Sequence, residues 1–181
     1  MNIENIFDFI ESNRGYKTPI KYKLTNDIRL DKNEKHINGN LDLSESYFRE
    51  LSQIESVSGN LIIEYSEITE IKDLVFVGGG LICDYSPIQK LPNNLKVGGA
   101  LSLEECPLTK LPDNLKVGYN LILSHSSIKT IPNNLSLDGD LLLISTPMSD
   151  KYSRDRIRQM IEQNGGYITG KIYLDYDELG F

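Results

Sequence analysis

The sequence predicts a mainly β solenoid: a right-handed stack of six 20-residue rungs, α/β in character only at its capped ends. Three observations carry this expectation. Leucine recurs at 41, 61, 81, 101, 121 and 141 without a slip. Other apolar columns keep the same phase, including Leu43, Ile63, Cys83, Leu103, Leu123 and Leu143, and Ile37, Val57, Val77, Val97, Val117 and Leu137. Glycine stands between these two columns at 39, 59, 79, 99 and 139. A fixed period of this length marks an architecture in which each unit buries its apolar side against its neighbours.

The 181 residues therefore divide into 36 leading residues, six rungs from Ile37, and a tail that takes over the last rung after Met148. One structural domain is expected, with an N-terminal cap over 1–36, repeats over 37–148 and a C-terminal cap over 149–181. In the first cap Ile3, Ile6, Phe7 and Ile10 share a helical face opposite Glu4, Asp8 and Glu11, and Gly15 ends the helix. Tyr22-Lys23-Leu24 and Ile28-Arg29-Leu30 read as short strands.

Within a rung, apolar-x-apolar has the two-residue period of a strand with alternate side chains inward. The glycine corner needs either positive φ or close backbone approach, and Tyr119 interrupts it. Next comes a small inward column, Ser46, Ser66, Ser86, Cys106, Ser126 and Thr146, whose hydroxyls can reach neighbouring backbone. The second half of the rung runs Leu-Pro-Asn-Asn-Leu at 91–95, Leu-Pro-Asp-Asn-Leu at 111–115 and Ile-Pro-Asn-Asn-Leu at 131–135. Proline removes a donor there and excludes a full helix. Leu95-x-Val97 also alternates, which leaves open a β-helix with strands on two sides. In the closing cap Ser149 or Ser153 starts a helix reaching about Gln163, with Ile157, Met160 and Ile161 inward and Gly165-Gly166 ending it. Tyr167-Ile168 and Ile172-Tyr173-Leu174 read as closing strands.

The stretch Leu101-x-Leu103-x-x-Cys106-x-Leu108-x-x-Leu111-Pro112-x-x-Leu115 resembles the leucine-rich repeat, most closely the short bacterial Leu-Pro type. The whole pattern, with its Val-Gly-Gly corner, is similar to repeat proteins of tailed-phage genomes. This resemblance covers about 110 residues. It implies protein binding on the strand face, and for a phage protein it implies a host partner that is blocked or sequestered. Ser, Cys or Thr replaces the family's ladder asparagine, so that ladder does not carry over unchanged.

Composition narrows the function classes. The net charge of −7 concentrates in residues 37–87, where nine acids face only Arg49 and Lys72. Such a surface disfavours nucleic acid and favours a basic partner. No apolar run is long enough for a membrane span, the N-terminus lacks a signal-peptide pattern, and a cytoplasmic location is expected. Cys83 and Cys106 read as inert core thiols. His36 and His125 fall about 20 Å apart on rungs spaced like strands. No metal, phosphate-loop or hydrolase motif occurs; Gly78-Gly79-Gly80 lacks the helix a phosphate cradle needs. No enzyme activity and no cofactor are expected.

What remains is the outward face of the strands. Its central column is Asp42, Ile62, Ile82, Ser102, Ile122 and Leu142, and four aliphatics exposed in a line would mark an interface. Beside it run Ser44, Glu64, Asp84, Glu104, Ser124 and Ile144, flanked by Tyr65, Tyr85, Glu105 and His125. This face is expected to bind a protein, with Asp42, Ile62, Glu64, Tyr65, Ile82, Asp84, Tyr85, Glu104, Ile122 and Leu142 as the contact residues. Three alternatives stay open: burial of the aliphatics under the chain's own ends, a homodimer through them, and a small cationic or sugar ligand, or hydrolysis, at Glu64, Asp84, Glu104 and Tyr85. On the opposite arc, Glu70 with Lys90 and Glu50 with Arg49 read as solvated pairs.

Overall fold

In the computed structural model, residues 19–26 and 29–177 are described. The protein is a mainly β parallel solenoid with helices at its ends. Each rung contributes a two-residue strand to each of two seven-stranded parallel sheets. Sheet one contains His36–Ile37, Ser56–Val57, Phe76–Val77, Lys96–Val97, Lys116–Val117, Ser136–Leu137 and Tyr167–Ile168. Sheet two contains Leu41–Asp42, Leu61–Ile62, Leu81–Ile82, Leu101–Ser102, Leu121–Ile122, Leu141–Leu142 and Ile172–Tyr173. The strands named by Leu95-x-Val97 and by Leu101-x-Leu103 thus both form. On a third side Glu50–Leu51 pairs with Glu70–Ile71, and single bridges join Glu70 to Lys90 and Lys110 to Thr130. There the Leu-Pro arc leaves little continuous pairing, because proline cannot donate.

Register follows the sequence period: Leu41 pairs with Leu61, Leu61 with Leu81, and so on to Leu141. The leucine, isoleucine and valine columns therefore stack into one continuous core, with Leu61, Leu81, Leu101 and Leu121 fully buried. Each such side chain contributes about 1.5–3 kcal/mol of burial. The small inward column is buried throughout. Ser86 Oγ donates to the Ile63 carbonyl at 2.6 Å and Cys106 Sγ to the Cys83 carbonyl at 3.2 Å, both across rungs. Thr146 Oγ1 donates instead to Leu143 in its own rung, at 2.8 Å.

Close approach, more than positive φ, explains the glycine corner. A Cβ on Gly98 would stand 2.3 Å from the Gly78 carbonyl oxygen, and one on Gly78 would stand 2.2 Å from that of Ser58. The rungs therefore rest directly on the peptide groups below. An amide ladder accompanies this corner. The side-chain oxygens of Asn40, Asn60, Asn120 and Asp140 each accept the N–H of the matching residue one rung on, at 2.7–2.9 Å. The small inward column thus carries no asparagine ladder, and one stands instead just before the sheet-two strands.

The ends differ from the sequence expectation in part. Tyr22-Lys23-Leu24 is not a strand but lies in helix α1, Ile20–Thr25. Ile20, Lys23 and Leu24 share the spacing of one helical face, Leu24 joins the core, and Lys23 is buried against Glu34 at 2.7 Å. Three alternating residues were too short a run to separate strand from helix. Arg29 and Leu30 form no strand either, and a 3-10 turn, Lys32–Lys35, enters rung one. The helix expected over 3–11, its stop at Gly15, and Ile28 lie outside the described residues.

At the far end Thr146 caps α2, Pro147–Lys151, by accepting the Ser149 N–H at 3.1 Å. Ser153 starts α3, Arg154–Gln163, which buries Ile157 and Ile161. Tyr167 then registers with Ser136 and Ile172 with Leu141, so the closing strands form a seventh pass after a longer loop. In sheet one, carbonyls normally accept N–H groups from the next rung, as Val57 accepts from Gly78 and Gly59 from Gly79. On the last rung the Arg158 guanidinium takes those places, donating to Ile168 at 3.0 Å and Gly170 at 2.8 Å. No helix among the described residues is long and apolar enough to cross a membrane.

Candidate functional site

The corner that follows each sheet-two strand positions the site. Its residues, Glu45, Tyr65, Tyr85, Glu105, His125 and Ser145, all have φ between 53° and 58°. Their N–H groups still bond the next rung, from Glu45 to the Glu64 carbonyl through His125 to that of Ile144. The left-handed backbone throws these side chains off the sheet, and all but the half-buried His125 are exposed. Tyr65 is 63% and Tyr85 50% exposed, with ring centroids 5.0 Å apart and planes 2° from parallel. Rung spacing of about 4.8 Å brings equivalent rings into stacking range.

Beside the rings run Glu64, Asp84 and Glu104, all half-buried. Asp84 Oδ1 accepts the Ser102 hydroxyl at 2.6 Å and the Glu104 N–H at 2.9 Å, so it also serves as a local brace. Asp42, exposed on rung one, accepts the Ser44 N–H at 2.9 Å, and hydrogen bonding to Ser44 lowers its pKa. The charge on Glu104, then desolvation, Tyr65, Glu105 and Asp84, pushes the Tyr85 hydroxyl pKa up. Tyr85 is therefore set among negative charges.

The aliphatic column is not freely exposed. Ile62, Ile82, Ile122 and Leu142 are half-buried, because in-register neighbours cover one another: Ile62 pairs with Ile82, Ile122 with Leu142, and Leu142 with Tyr173. Ser102 is buried in this row, and in the next row Ser124 and Ile144 are buried rather than outward. Of the predicted contact residues, Ile62, Glu64, Tyr65, Ile82, Asp84, Tyr85 and Glu104 fall on three consecutive rungs, whereas Asp42 lies on the terminal strand of the sheet and Ile122 and Leu142 lie on the fifth and sixth rungs.

On the other arc Lys90 meets Glu70 at 2.6 Å, as expected. Glu50 pairs with Lys72 and not with Arg49. The sequence reading also missed His125 Nε2 against the Tyr176 hydroxyl at 2.7 Å, for which no local signal existed. Both thiols are buried; desolvation pushes Cys83 well up and Cys106 up to about 12. Four concavities of about 300–460 Å³ lie at the Leu-Pro arc, along sheet one and at the C-terminal end, and none of these four is lined by Glu64, Asp84, Tyr85 or Glu104. Among the described residues no group of three or more His, Cys, Asp or Glu is arranged to hold a metal.

Comparison with protein-family models, curated proteins and solved structures finds no match to this chain.

Proposed function

We propose that this protein is a non-enzymatic binding module that holds a partner protein against the sheet-two face of its second to fourth rungs. One observation carries the proposal: two tyrosines stacked at 5.0 Å stand at least half exposed among Glu64, Asp84 and Glu104. Tyrosines anchor protein interfaces because they bring large contact area at low entropic cost. Acids around them select a basic partner and speed its approach. The resemblance to leucine-rich repeats, which bind proteins on their strand face, agrees with this choice of surface. Its phage variant makes a host protein, blocked by occupation, the preferred partner. A small-ligand or hydrolytic use of the acids has less support, since Asp84 is engaged by Ser102 and Glu104.

The test is affinity capture from the native cell extract with wild type and with the Tyr65→Asn, Tyr85→Asn double variant. Asparagine suits the left-handed backbone, so the variant keeps its fold, which a thermal melt verifies. The expected result is a partner retained by wild type and lost by the variant. Identical retained sets from two folded proteins would overturn the proposal. Sedimentation decides the homodimer reading: a wild-type dimer that becomes monomeric on Ile82→Arg would replace the foreign partner with a second copy.

A further inference from the structure

The solenoid has two corners of positive φ, and they are filled by different chemistry. One holds Gln53, Asn94, Asn114 and Asn134. Asparagine is among the non-glycine residues that enter the left-handed region most readily. Here its amides also bond along the rod, from Asn114 to Asn94 at 2.9 Å and from Asn134 to Asn114 at 2.8 Å. The other corner holds Glu45, Tyr65, Tyr85, Glu105, His125 and Ser145, with no glycine, asparagine or aspartate. Bulky residues in this backbone are strained. The strain recurs on successive rungs and is not repaid by burial, because the tyrosines are at least half exposed. Strain kept where a cheaper residue fits elsewhere in the same fold points to what the side chains do in solvent.

Their order along the rod defines that role. Tyr65 and Tyr85 cover one face of each other. The same corner position one rung beyond each ring holds Glu45 on one side and Glu105 on the other. The column thus sets a carboxylate-bearing position one rung beyond each ring, with Glu64 and Glu104 in the adjoining outward row. A guanidinium matches this pair: its plane stacks on an aromatic face and its fork binds a carboxylate with two parallel hydrogen bonds. An ammonium lacks the plane and the fork. No Lys or Arg occurs in 42–48, 62–68, 82–88 or 102–108. Lys21, which donates to the Ser44 carbonyl at 2.7 Å, brings positive charge to the rung-one end and leaves the Tyr85–Glu105 end the stronger half.

We infer that the Glu45–Tyr65–Tyr85–Glu105 corner, with Glu64 and Glu104, is an arginine-recognition ridge that takes an arginine-bearing basic segment of a partner protein. The inference rests on the protein-binding reading and names the chemistry of its partner. Fluorescein-labelled oligo-arginine and oligo-lysine peptides of equal length, titrated with the full chain and followed by anisotropy, test it. Wild type should bind the arginine peptide at least about fivefold more tightly than the lysine peptide. The Tyr65→Asn, Tyr85→Asn variant should lose about tenfold in arginine-peptide affinity together with the preference, whereas Tyr65→Phe, Tyr85→Phe should keep both. Equal affinity of wild type for the two peptides, or of wild type and the asparagine variant for the arginine peptide, overturns it. Tyrosine-dependent capture of a cellular partner without arginine-peptide binding would leave the protein-binding reading standing and refute the ridge alone.

Discussion

Arg158 closes an edge that the solenoid would otherwise leave open, so its removal is a direct test of how the stack ends. The perturbation is Arg158→Met, which keeps most of the apolar stem and deletes the two donors to Ile168 and Gly170. Hydrogen bonds to charged groups contribute about 1.5–3 kcal/mol each when buried. Arg158 is half-buried and water can reach the freed carbonyls, so the pair together should contribute about 2–3 kcal/mol. For a chain of this size 1 kcal/mol moves Tm by about 2–4 °C, so the expected fall is roughly 4–12 °C. Hydrogen exchange localises the effect. The Tyr167 and Thr169 amides, bonded back to Leu135 and Leu137, should exchange sooner, while amides of the central rungs hold. Arg158→Lys, which cannot form the fork, should fall between. A freed edge is also a template for pairing, so the methionine variant should associate at high concentration. A melt within about 1 °C of wild type, with unchanged exchange at Tyr167 and Thr169, would refute the capping role.

Gly98→Ala should cost more than about 3 kcal/mol in denaturant unfolding, since its Cβ meets a backbone carbonyl at 2.3 Å, whereas Gly80→Ala, whose nearest contact is 3.3 Å and whose column already holds Ala100, should change stability by under about 1 kcal/mol; equal effects would contradict the close-approach account. Cys106→Ser matches the rest of its column and should be nearly neutral at pH 7. The folded thiol is raised from 9.0 to about 12, so its contribution is complete below about pH 9 and is lost as pH rises toward 12, because the unfolded state gives up its proton first. The wild-type minus variant stability should therefore decline over that window, and a difference independent of pH would count against burial as the cause. Ile82→Arg should lower stability by about 1–2 kcal/mol through lost packing on Ile62, while exposed Tyr85→Asn stays within about 1 kcal/mol of wild type; a reversed order in thermal melts would contradict the observed burial.

Legibility was uneven for physical reasons that particular residues make plain. The leucine column predicted register because a solenoid repeats one environment, so period in sequence became pairing in space, as at Leu101 with Leu81 and Leu121. The tyrosines were also legible as candidates, standing where an outward column should be. Their stacking was not, since it depends on two rungs sharing one left-handed conformation that neither Tyr65 nor Tyr85 advertises. The burial of the aliphatic column was not legible, because alternation tells inward from outward but not how far an outward side chain is covered by its neighbours one rung above and below.

The amino-acid sequence by itself determined the repeat length, the core columns, the small buried position, the closing helix and strands, and the acidic half of the surface, all of which follow from local periodicity and charge. Only the tertiary structure decided that both the Leu95-x-Val97 and Leu101-x-Leu103 sides form continuous sheets, that Asn40, Asn60 and Asn120 build the ladder, that Arg158 completes the last rung, and that two tyrosines become one aromatic face. Each of these is a relation between residues 20 or more positions apart or at the end of the stack, and such relations acquire their energy only when the rungs are brought to within hydrogen-bond and van der Waals distance.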